Sequence, residues 1–199
     1  MIALTATVHP SATIHPSASI GDGSRVWDLA QLREGVVVGD DCVIGRNVYI
    51  DKGVQVGSRC KIQNNVQVFA PGLIGDGVFI GPGAILTNDR LPRAVDPDGH
   101  LISASNWTSA GVKAQDGCSI GAGAIIIAGL SIGRWAVVAA GAVVTENVLA
   151  HALVAGVPAR RIGWVGLTGQ RLSAGEAGHW RDEAGTIYEE TEDGMVALG

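Results

Sequence analysis

The segment VGDDCVIGRNVYIDKGVQVGSRCKI, residues 38–62, places Val or Ile at every sixth position. The period extends in both directions and gives fourteen consecutive aliphatic residues: Val8, Ile14, Ile20, Val26, Leu32, Val38, Ile44, Ile50, Val56, Ile62, Val68, Ile74, Ile80 and Leu86. It resumes in a shifted frame at Ile120, Ile126, Ile132, Val138 and Val144. A period of six fits neither a helix nor a half-buried strand, but it is typical of a hexapeptide solenoid in which each segment forms one side of a triangular coil. We therefore predict an all-β protein, a left-handed parallel β-helix of about seven coils.

The composition agrees with a core made of small and β-branched side chains. The chain has 199 residues, of which 47% are hydrophobic but only 5% are aromatic. Its net charge of −5 and the lack of long Lys/Arg clusters argue against nucleic acid as a partner. No apolar run reaches the length of a membrane span, and the N-terminus does not resemble a signal peptide. We expect a cytoplasmic protein that does not act at a membrane.

The three cysteines follow the repeat. Cys42 and Cys60 lie four places after a repeat-defining residue, and Cys118 holds the equivalent place if the second frame is extended back. Elsewhere this second inward place is held mostly by Ala and Val. We interpret the cysteines as small core residues and not as catalytic thiols or zinc ligands.

Histidines are scarce in the repeat. A β-helical carbonic anhydrase would need histidines a few residues apart in the middle coils, and residues 20–86 contain none. His9 and His15 each stand between an aliphatic residue and a proline, as punctuation of the repeat. We predict no metal site.

The frame breaks once, in NDRLPRAVDPDGHLISASNWT, residues 88–108. Two prolines and a DPDG turn signal mark this stretch as an excursion from the coil, and the repeat returns out of frame after it. Long loops in compact domains are usually functional, so we expect the excursion to help build the active site. The alternative is a tolerated surface insertion.

Two segments organise the chain. Residues 1–164 are expected to form the β-helix domain, and residues 165–199 a C-terminal extension with one possible β-hairpin. The flat outer faces of such a solenoid commonly pack around an axis. A homotrimer with cyclic symmetry is therefore the expected assembly.

Four strings carry a resemblance to a known family: RVWDLAQ (25–31), KIQNNVQV (61–68), TNDRLPRA (87–94) and GAVVTENVLAHALVAGVPARRIGW (141–164). With the repeat, they resemble the hexapeptide-repeat acyltransferases that N-acetylate 3-amino nucleotide sugars. The UDP-2-acetamido-3-amino-2,3-dideoxyglucuronate N-acetyltransferases are most similar, and the dTDP-3-amino-3,6-dideoxyhexose N-acetyltransferases come next. The resemblance implies acetyl-CoA as co-substrate, a nucleotide-sugar substrate, and a homotrimer with active sites between subunits.

The resemblance also implies that catalysis needs no histidine base and that Asn88 contacts the sugar amine. An amine with a pKa near 8 is about one-tenth neutral at pH 7, so it needs orientation more than deprotonation. An amide oxygen can accept one N–H while the lone pair faces the thioester. The departing thiolate is able to take up the released proton. The alternative is that Asn88 only starts the loop turn.

Further residues are candidates for substrate binding. A guanidinium at Arg93 suits a uronate carboxylate or a phosphate. Gln63, Asn64 and Asn65 offer amides to sugar and uracil oxygens, although asparagines also suit coil corners because they readily adopt left-handed conformations. Trp27 either lines a substrate face or covers a coil.

Coenzyme A needs exposed backbone beside small residues and a basic group near the last coils. The strings GAGA (121–124) and AAGA (139–142) offer the small residues Gly123, Ala124, Ala140 and Gly141. PARR (158–161) offers Arg160 and Arg161 for the ribose phosphate. These residues also have structural interpretations, as packing residues and as caps of neighbouring carbonyls.

Two other functions stay open at this point. One is an O-acetyltransferase of a small sugar or amino acid that uses His100 or His151 as base. The other is a non-catalytic β-helical scaffold.

Overall fold

The computed structural model describes residues 1–103, 107–175 and 178–198. Among the described residues, twenty strands of two residues each recur from Thr7 to Val144: β1 Thr7–Val8, β2 Thr13–Ile14, β3 Ser19–Ile20, β4 Arg25–Val26, β5 Gln31–Leu32, β6 Val37–Val38, β7 Val43–Ile44, β8 Tyr49–Ile50, β9 Gln55–Val56, β10 Lys61–Ile62, β11 Gln67–Val68, β12 Leu73–Ile74, β13 Phe79–Ile80, β14 Ile85–Leu86, β15 Lys113–Ala114, β16 Ser119–Ile120, β17 Ile125–Ile126, β18 Ser131–Ile132, β19 Val137–Val138 and β20 Val143–Val144. Six longer or later strands follow: β21 Ala152–Gly156, β22 Ala159–Trp164, β23 Ser173–Ala174, β24 Trp180–Arg181, β25 Ile187–Thr191 and β26 Gly194–Leu198. The described residues include no helix long and apolar enough to cross a membrane.

Every third strand belongs to the same parallel sheet. The first sheet runs β1-β4-β7-β10-β13-β16-β19-β21, the second β2-β5-β8-β11-β14-β17-β20, and the third β3-β6-β9-β12-β15-β18. Thr7 pairs with Arg25, one coil of eighteen residues further on. These three sheets are the sides of a triangular prism of about seven coils, and they confirm the fold class predicted from the repeat.

The core is the axis of the prism. The second residue of each short strand points inward, and Ile44, Ile62 and Ile80 are fully buried there. The second inward position holds small residues, including Cys42, Cys60 and Cys118, all free and fully buried. Burial raises the pKa of the Cys118 thiol to about 12. The cysteines are therefore core residues, as the repeat predicted.

One edge of the prism carries a ladder of side-chain acceptors, which we call the aspartate ladder. Its rungs are hydrogen bonds from backbone N–H groups to side chains of the next coil: Asp22 N to Asp40 Oδ1 at 2.8 Å, Asp40 N to Ser58 Oγ at 3.1 Å, Ser58 N to Asp76 Oδ1 at 2.8 Å, and Asp76 N to Asp116 Oδ1 at 3.0 Å. Because turn N–H groups lack sheet partners, these oxygens satisfy them. The ladder ties successive coils together outside the core.

The excursion leaves the prism after β14 and returns at β15. Its effect on register is large, since Leu73 pairs with Lys113, forty residues further along the chain. The two ends are joined by hydrogen bonds from Ala110 N to Asn88 O at 2.9 Å and from Trp107 Nε1 to Asp89 Oδ2 at 2.8 Å. Residues 104–106 of the predicted excursion, 88–108, lie outside the described residues.

The last coil is covered by antiparallel structure. Strand β22 pairs with β21, and β23 to β26 form a four-stranded antiparallel sheet in which β25 and β26 are a hairpin. Tyr188 and Met195 of this sheet are buried, and Gly194 pairs with Ala150 of the last coil. Residues 176, 177 and 199 of the predicted extension, 165–199, lie outside the described residues.

Candidate active site

The candidate site residues lie mainly on two edges of the prism. The Trp27 edge consists of the turns that follow strands of the first sheet, at residues 9–11, 27–29, 45–47, 63–65, 81–83, 121–123 and 139–141. The Asn88 edge consists of the turns that follow strands of the second sheet, at residues 15–17, 33–35, 51–53, 69–72, 87–88, 127–129 and 145–147. Each edge repeats every eighteen residues until the excursion interrupts it.

Asn88 is held by its amide nitrogen. Nδ2 donates to the backbone oxygen of Ala70 at 2.7 Å, and the side chain is half-buried. A carbonyl only accepts hydrogen bonds, so the amide group must face Ala70 with its NH₂ and not with its oxygen. Within residues 1–103, 107–175 and 178–198, no group donates to Oδ1. Asn88 therefore presents an acceptor at the point where the chain leaves the coil.

A polar cluster supports this edge from the coils below Asn88. Arg33 Nη1 donates to the Tyr49 hydroxyl at 3.0 Å, and that hydroxyl donates to Asp51 Oδ1 at 3.0 Å. Asp51 Oδ2 accepts from Ala70 N at 3.2 Å. The rings of Tyr49 and Phe69 are tilted, with centroids 5.6 Å apart. Burial, and then the Asp51 carboxylate, raise the pKa of Tyr49.

Sequence reasoning missed this cluster because its members are far apart in the chain. Arg33, Asp51 and Phe69 are eighteen residues apart and therefore stack on consecutive coils. Comparison of residues at a spacing of eighteen, and not only six, is the signal that would have found them.

Three predicted substrate residues meet on the Trp27 edge. A depression of about 260 Å³ is lined by Trp27, Asp28, Val43, Gly45, Arg46, Gln63 and Asn64. The Trp27 side chain is half exposed, and Gln63 is half-buried. The Arg46–Asp28 ion pair, at 3.1 Å, puts both charges at this depression.

Asn64 and Asn65 also have structural tasks. Asn64 Oδ1 accepts from Arg46 N at 2.9 Å, which joins two coils. Asn65 has a φ of +62° and its Oδ1 accepts from Asn47 Nδ2 at 3.0 Å. The amide oxygens of Asn64 and Asn65 are thus used for hydrogen bonds in the coil corners. Among the described residues, the Gln63 side chain makes no such corner hydrogen bond.

The small residues predicted for coenzyme A divide into two groups. Gly123, Ala140 and Gly141 are exposed along the Trp27 edge. Ala124 is fully buried in the core, so its side chain is not available to a ligand. A Cβ at Gly121 would collide with the backbone nitrogen of Ala140, so this glycine allows the coils to approach closely.

Arg160 and Arg161 line a cavity of about 300 Å³ beside the last coil. Arg160 Nη1 lies 3.8 Å from Glu146 Oε1. Arg161 Nη1 donates to Glu190 Oε1 at 3.1 Å, and its guanidinium lies 4.1 Å from the centroid of Trp164. Arg161 therefore fastens the C-terminal sheet, whereas Arg160 is the more exposed of the two cations.

Arg93 lies on the excursion and is exposed. Its Nη1 donates to the backbone oxygen of Pro92 at 2.9 Å. Within the described part of the chain, no carboxylate forms an ion pair with it. Its charge is thus available to an anionic group.

The two histidines considered as bases differ in environment. His151 is 6% exposed, donates from Nδ1 to Val165 O at 2.9 Å, and has its ring 5.5 Å from that of Tyr188. Burial lowers the pKa of His151. His100 is exposed, with Nδ1 3.4 Å from Asp96 Oδ2.

Asp96, Asp98 and His100 form a group whose potential ligand atoms lie within 4.8 Å of one another. Asp96 Oδ1 accepts from the backbone nitrogens of Asp98 at 3.0 Å and His100 at 2.9 Å. Turn formation explains this arrangement without a metal ion.

One chain does not bring all predicted site residues together. Trp27, Gln63 and Asn64 share a depression, but Asn88 lies on a different edge of the prism. The exposed small residues lie on the Trp27 edge, whereas Arg160 lies beside Glu146 in the turn after β20, a strand of the second sheet.

Comparisons with known proteins agree with this architecture. Residues 35–70 and 116–146 match the family model described as the hexapeptide repeat of succinyl-transferase. A 2,3,4,5-tetrahydropyridine-2,6-dicarboxylate N-acetyltransferase of Staphylococcus aureus is 39% identical over 88 residues, which is 44% of this chain and 31% of that protein. The chain thus spans about a third of the length of the curated relatives it matches.

Two of the solved structures similar to this chain are of variants of AntD, an N-acyltransferase from Bacillus cereus. One, in complex with dTDP-4-amino-4,6-dideoxyglucose and coenzyme A, is 23% identical with a TM-score of 0.54, and the alignment covers 80% of each chain. The other, in complex with dTDP and coenzyme A, is 21% identical with a TM-score of 0.50, covering 82% of this chain and 83% of that one. At such identities the likeness concerns the fold.

Proposed function

We propose that this chain is an acetyl-CoA-dependent N-acetyltransferase that acetylates the 3-amino group of a nucleotide-linked amino sugar. The observation that carries the proposal is the geometry of Asn88, whose NH₂ is bound to Ala70 O and whose Oδ1 is left as an acceptor. The named N-acetyltransferase relatives and the coenzyme A complexes of AntD support the reaction class.

The reaction follows from an oriented amine. Asn88 Oδ1 accepts one N–H of the neutral sugar amine, which directs the nitrogen lone pair at the thioester carbonyl of acetyl-CoA. The new N–C bond forms, the C–S bond breaks, and coenzyme A leaves as a thiolate. The nitrogen loses one proton, and the thiolate, with a pKa of about 8.5 if it behaves like cysteine, takes it up. No histidine base is required.

The substrate class rests on charge. A UDP-linked 3-amino uronate is the preferred substrate because the guanidinium of Arg93, which forms no ion pair with a described carboxylate, suits the uronate carboxylate. A dTDP-linked 3-amino-deoxyhexose comes second. Trp27 and Gln63 offer an aromatic face and an amide to the nucleotide or the sugar.

The assembly follows from the separation of the two edges. A closed homotrimer would bring the Asn88 edge of one subunit against the Trp27 edge of its neighbour, with coenzyme A along Gly123, Ala140 and Gly141 toward Arg160. The cytoplasmic location expected from the composition stays a prediction.

A coupled thiol-release assay tests the function. The purified chain is given acetyl-CoA and a panel of UDP- and dTDP-linked 3-amino sugars, and each product is identified by mass. We expect turnover with at least one member, retained in His100→Ala and reduced about 100-fold, to a rate that is still measurable, in Asn88→Ala. Loss in His100→Ala with full activity in Asn88→Ala would show a histidine-based mechanism instead. His151 is buried beneath the C-terminal sheet, so an O-acetyltransferase would depend on His100.

A further inference from the structure

Two hydrogen bonds connect three consecutive coils on the Asn88 edge. Asn88 Nδ2 donates to Ala70 O at 2.7 Å, and Ala70 N donates to Asp51 Oδ2 at 3.2 Å. Both bonds use Ala70, which is 9% exposed and carries no polar side chain. The orientation of the Asn88 amide therefore depends on a backbone segment that the Asp51 carboxylate holds.

Asp51 is itself fixed by further donors. Its Oδ1 accepts from Lys52 N at 2.8 Å and from the Tyr49 hydroxyl at 3.0 Å. Arg33 Nη1 lies 3.8 Å from the same oxygen, and the Asp51 side chain is 16% exposed. These donors at Oδ1 fix the orientation of the carboxylate, so that Oδ2 faces and accepts from Ala70 N.

Asp51 differs in direction from the acidic residues of the aspartate ladder. In the ladder a side chain accepts from the preceding coil, as Asp76 Oδ1 does from Ser58 N at 2.8 Å. Asp51 instead accepts from the following coil, toward Asn88. Asp76 is also far more exposed, at 50% of its side chain against 16% for Asp51. General coil stacking accounts for Asp76 but not for Asp51.

We infer that Asp51 is a positioning residue for the acetyl transfer, acting on Asn88 through the backbone of Ala70. The inference rests on the proposed function, since it takes Asn88 Oδ1 as the acceptor for the sugar amine. Asp51 does not contact the substrate in this scheme. Its carboxylate holds the Ala70 N–H, in the peptide group before the Ala70 Cα, and the Ala70 C=O, in the peptide group after it, fixes the direction in which Oδ1 points.

The replacement Asp51→Asn isolates this role because it preserves shape. It converts one acceptor oxygen into an NH₂ group, which must then face either Ala70 N or the donors at Oδ1. We expect kcat to fall about tenfold, the size of effect that supporting residues have on a site. The KM for acetyl-CoA should stay unchanged, because the proposed coenzyme surface lies on the Trp27 edge.

A double-mutant cycle with the full chain tests the inference. The kcat of Asp51→Asn is measured alone and in an Asn88→Ala background, with the amino sugar that the wild type acetylates. If Asp51 acts through Asn88, its replacement lowers kcat in the wild type but has no further effect when Asn88 is absent. Asp76→Asn is the matched control, with a kcat like that of the wild type.

The outcomes are distinguishable. Equal fractional losses in both backgrounds, or an unchanged kcat in a folded Asp51→Asn variant, would overturn the positioning role. Full activity in Asn88→Ala would instead overturn the proposed mechanism itself. If Asp51→Asn does not fold, Tyr49→Phe removes one donor to the same carboxylate. It should lower kcat about threefold in the wild type and not in the Asn88→Ala background.

Discussion

Replacement of Asn88 by Asp changes one donor into an acceptor with almost no change in volume. Asn88 Nδ2 now donates to Ala70 O at 2.7 Å, and a carboxylate oxygen in its place would meet that carbonyl with no proton between them. Ala70 is 9% exposed, so water cannot readily replace the lost donor. An unsatisfied buried acceptor costs about 1–3 kcal/mol of unfolding free energy. At about 2–4 °C per kcal/mol, the melting temperature should fall by roughly 2–12 °C.

The same change should affect catalysis more than stability. The carboxylate must turn away from Ala70, which moves the proposed acceptor for the sugar amine, and a displacement of about 1 Å costs on the order of 100-fold in rate. We therefore expect kcat in the thiol-release assay to fall about 100-fold. Asn47→Asp is the stability control, because it alters an exposed amide donor, and its unfolding free energy should change by less than about 0.5 kcal/mol. A lower melting temperature with unchanged kcat would mean that Asn88 only shapes the turn.

Three further predictions concern the assembly, the substrate and pH. Asn88→Ala and Trp27→Ala chains, each measured alone as the baseline, are mixed in equal amounts and reassembled. If each site takes one residue from each neighbour, the mixture should recover about a quarter of wild-type activity, since a random site receives both intact residues with that probability. Sites within single chains would give no gain over the two baselines. Arg93→Met should raise the KM for a 3-amino uronate about tenfold and leave that for a neutral 6-deoxyhexose unchanged; equal losses would argue against carboxylate pairing. Burial lowers the pKa of His151 in the folded state, so as pH falls the unfolded state takes up the proton first. The contribution of neutral His151 to the free energy of unfolding is therefore fully present above the ordinary histidine pKa and decreases as pH falls below it. Thermal unfolding between pH 8 and pH 5 should show this decrease, and His151→Asn, which suits the φ of +60° there, should reduce it; an identical pH profile for the variant would exclude His151 as the cause.

The prism could be predicted from the sequence because each repeat position has one environment. Ile62 and Cys60 point to the axis wherever their coil lies, so a local pattern is enough to bury them. The coil corners were harder, since Asn64 and Asn65 suit both a turn and a ligand, and the structure shows the amide oxygens of both in corner hydrogen bonds.

The support of Asn88 could not be predicted from local patterns. Asp51 and Asn88 are thirty-seven residues apart, and they are connected through the backbone N–H and C=O of Ala70. Since these backbone groups do not depend on the side chain, the residue type at position 70 does not indicate the connection. Ala124 shows the opposite error, because a string of small residues does not reveal which of them faces inward. The proposed homotrimer rests on contacts between subunits, which a repeat within one chain does not encode.

The register of eighteen residues separates what the core requires from what the site requires. Loss of one hexapeptide would keep every aliphatic residue directed at the axis, but it would turn all later residues by one side of the triangle. If the loss lay between Ala70 and Asn88, Asn88 would move to another edge and lose Ala70 and Asp51 as neighbours. A loss before Asp51 would turn all three residues together. A lineage of such proteins can therefore shorten or lengthen by six and still fold, but between Asp51 and Asn88 the support of Asn88 is kept only if the change is a whole coil. The excursion leaves and rejoins the prism at one place, where Ala110 N donates to Asn88 O at 2.9 Å, so its length is not tied to the period of six.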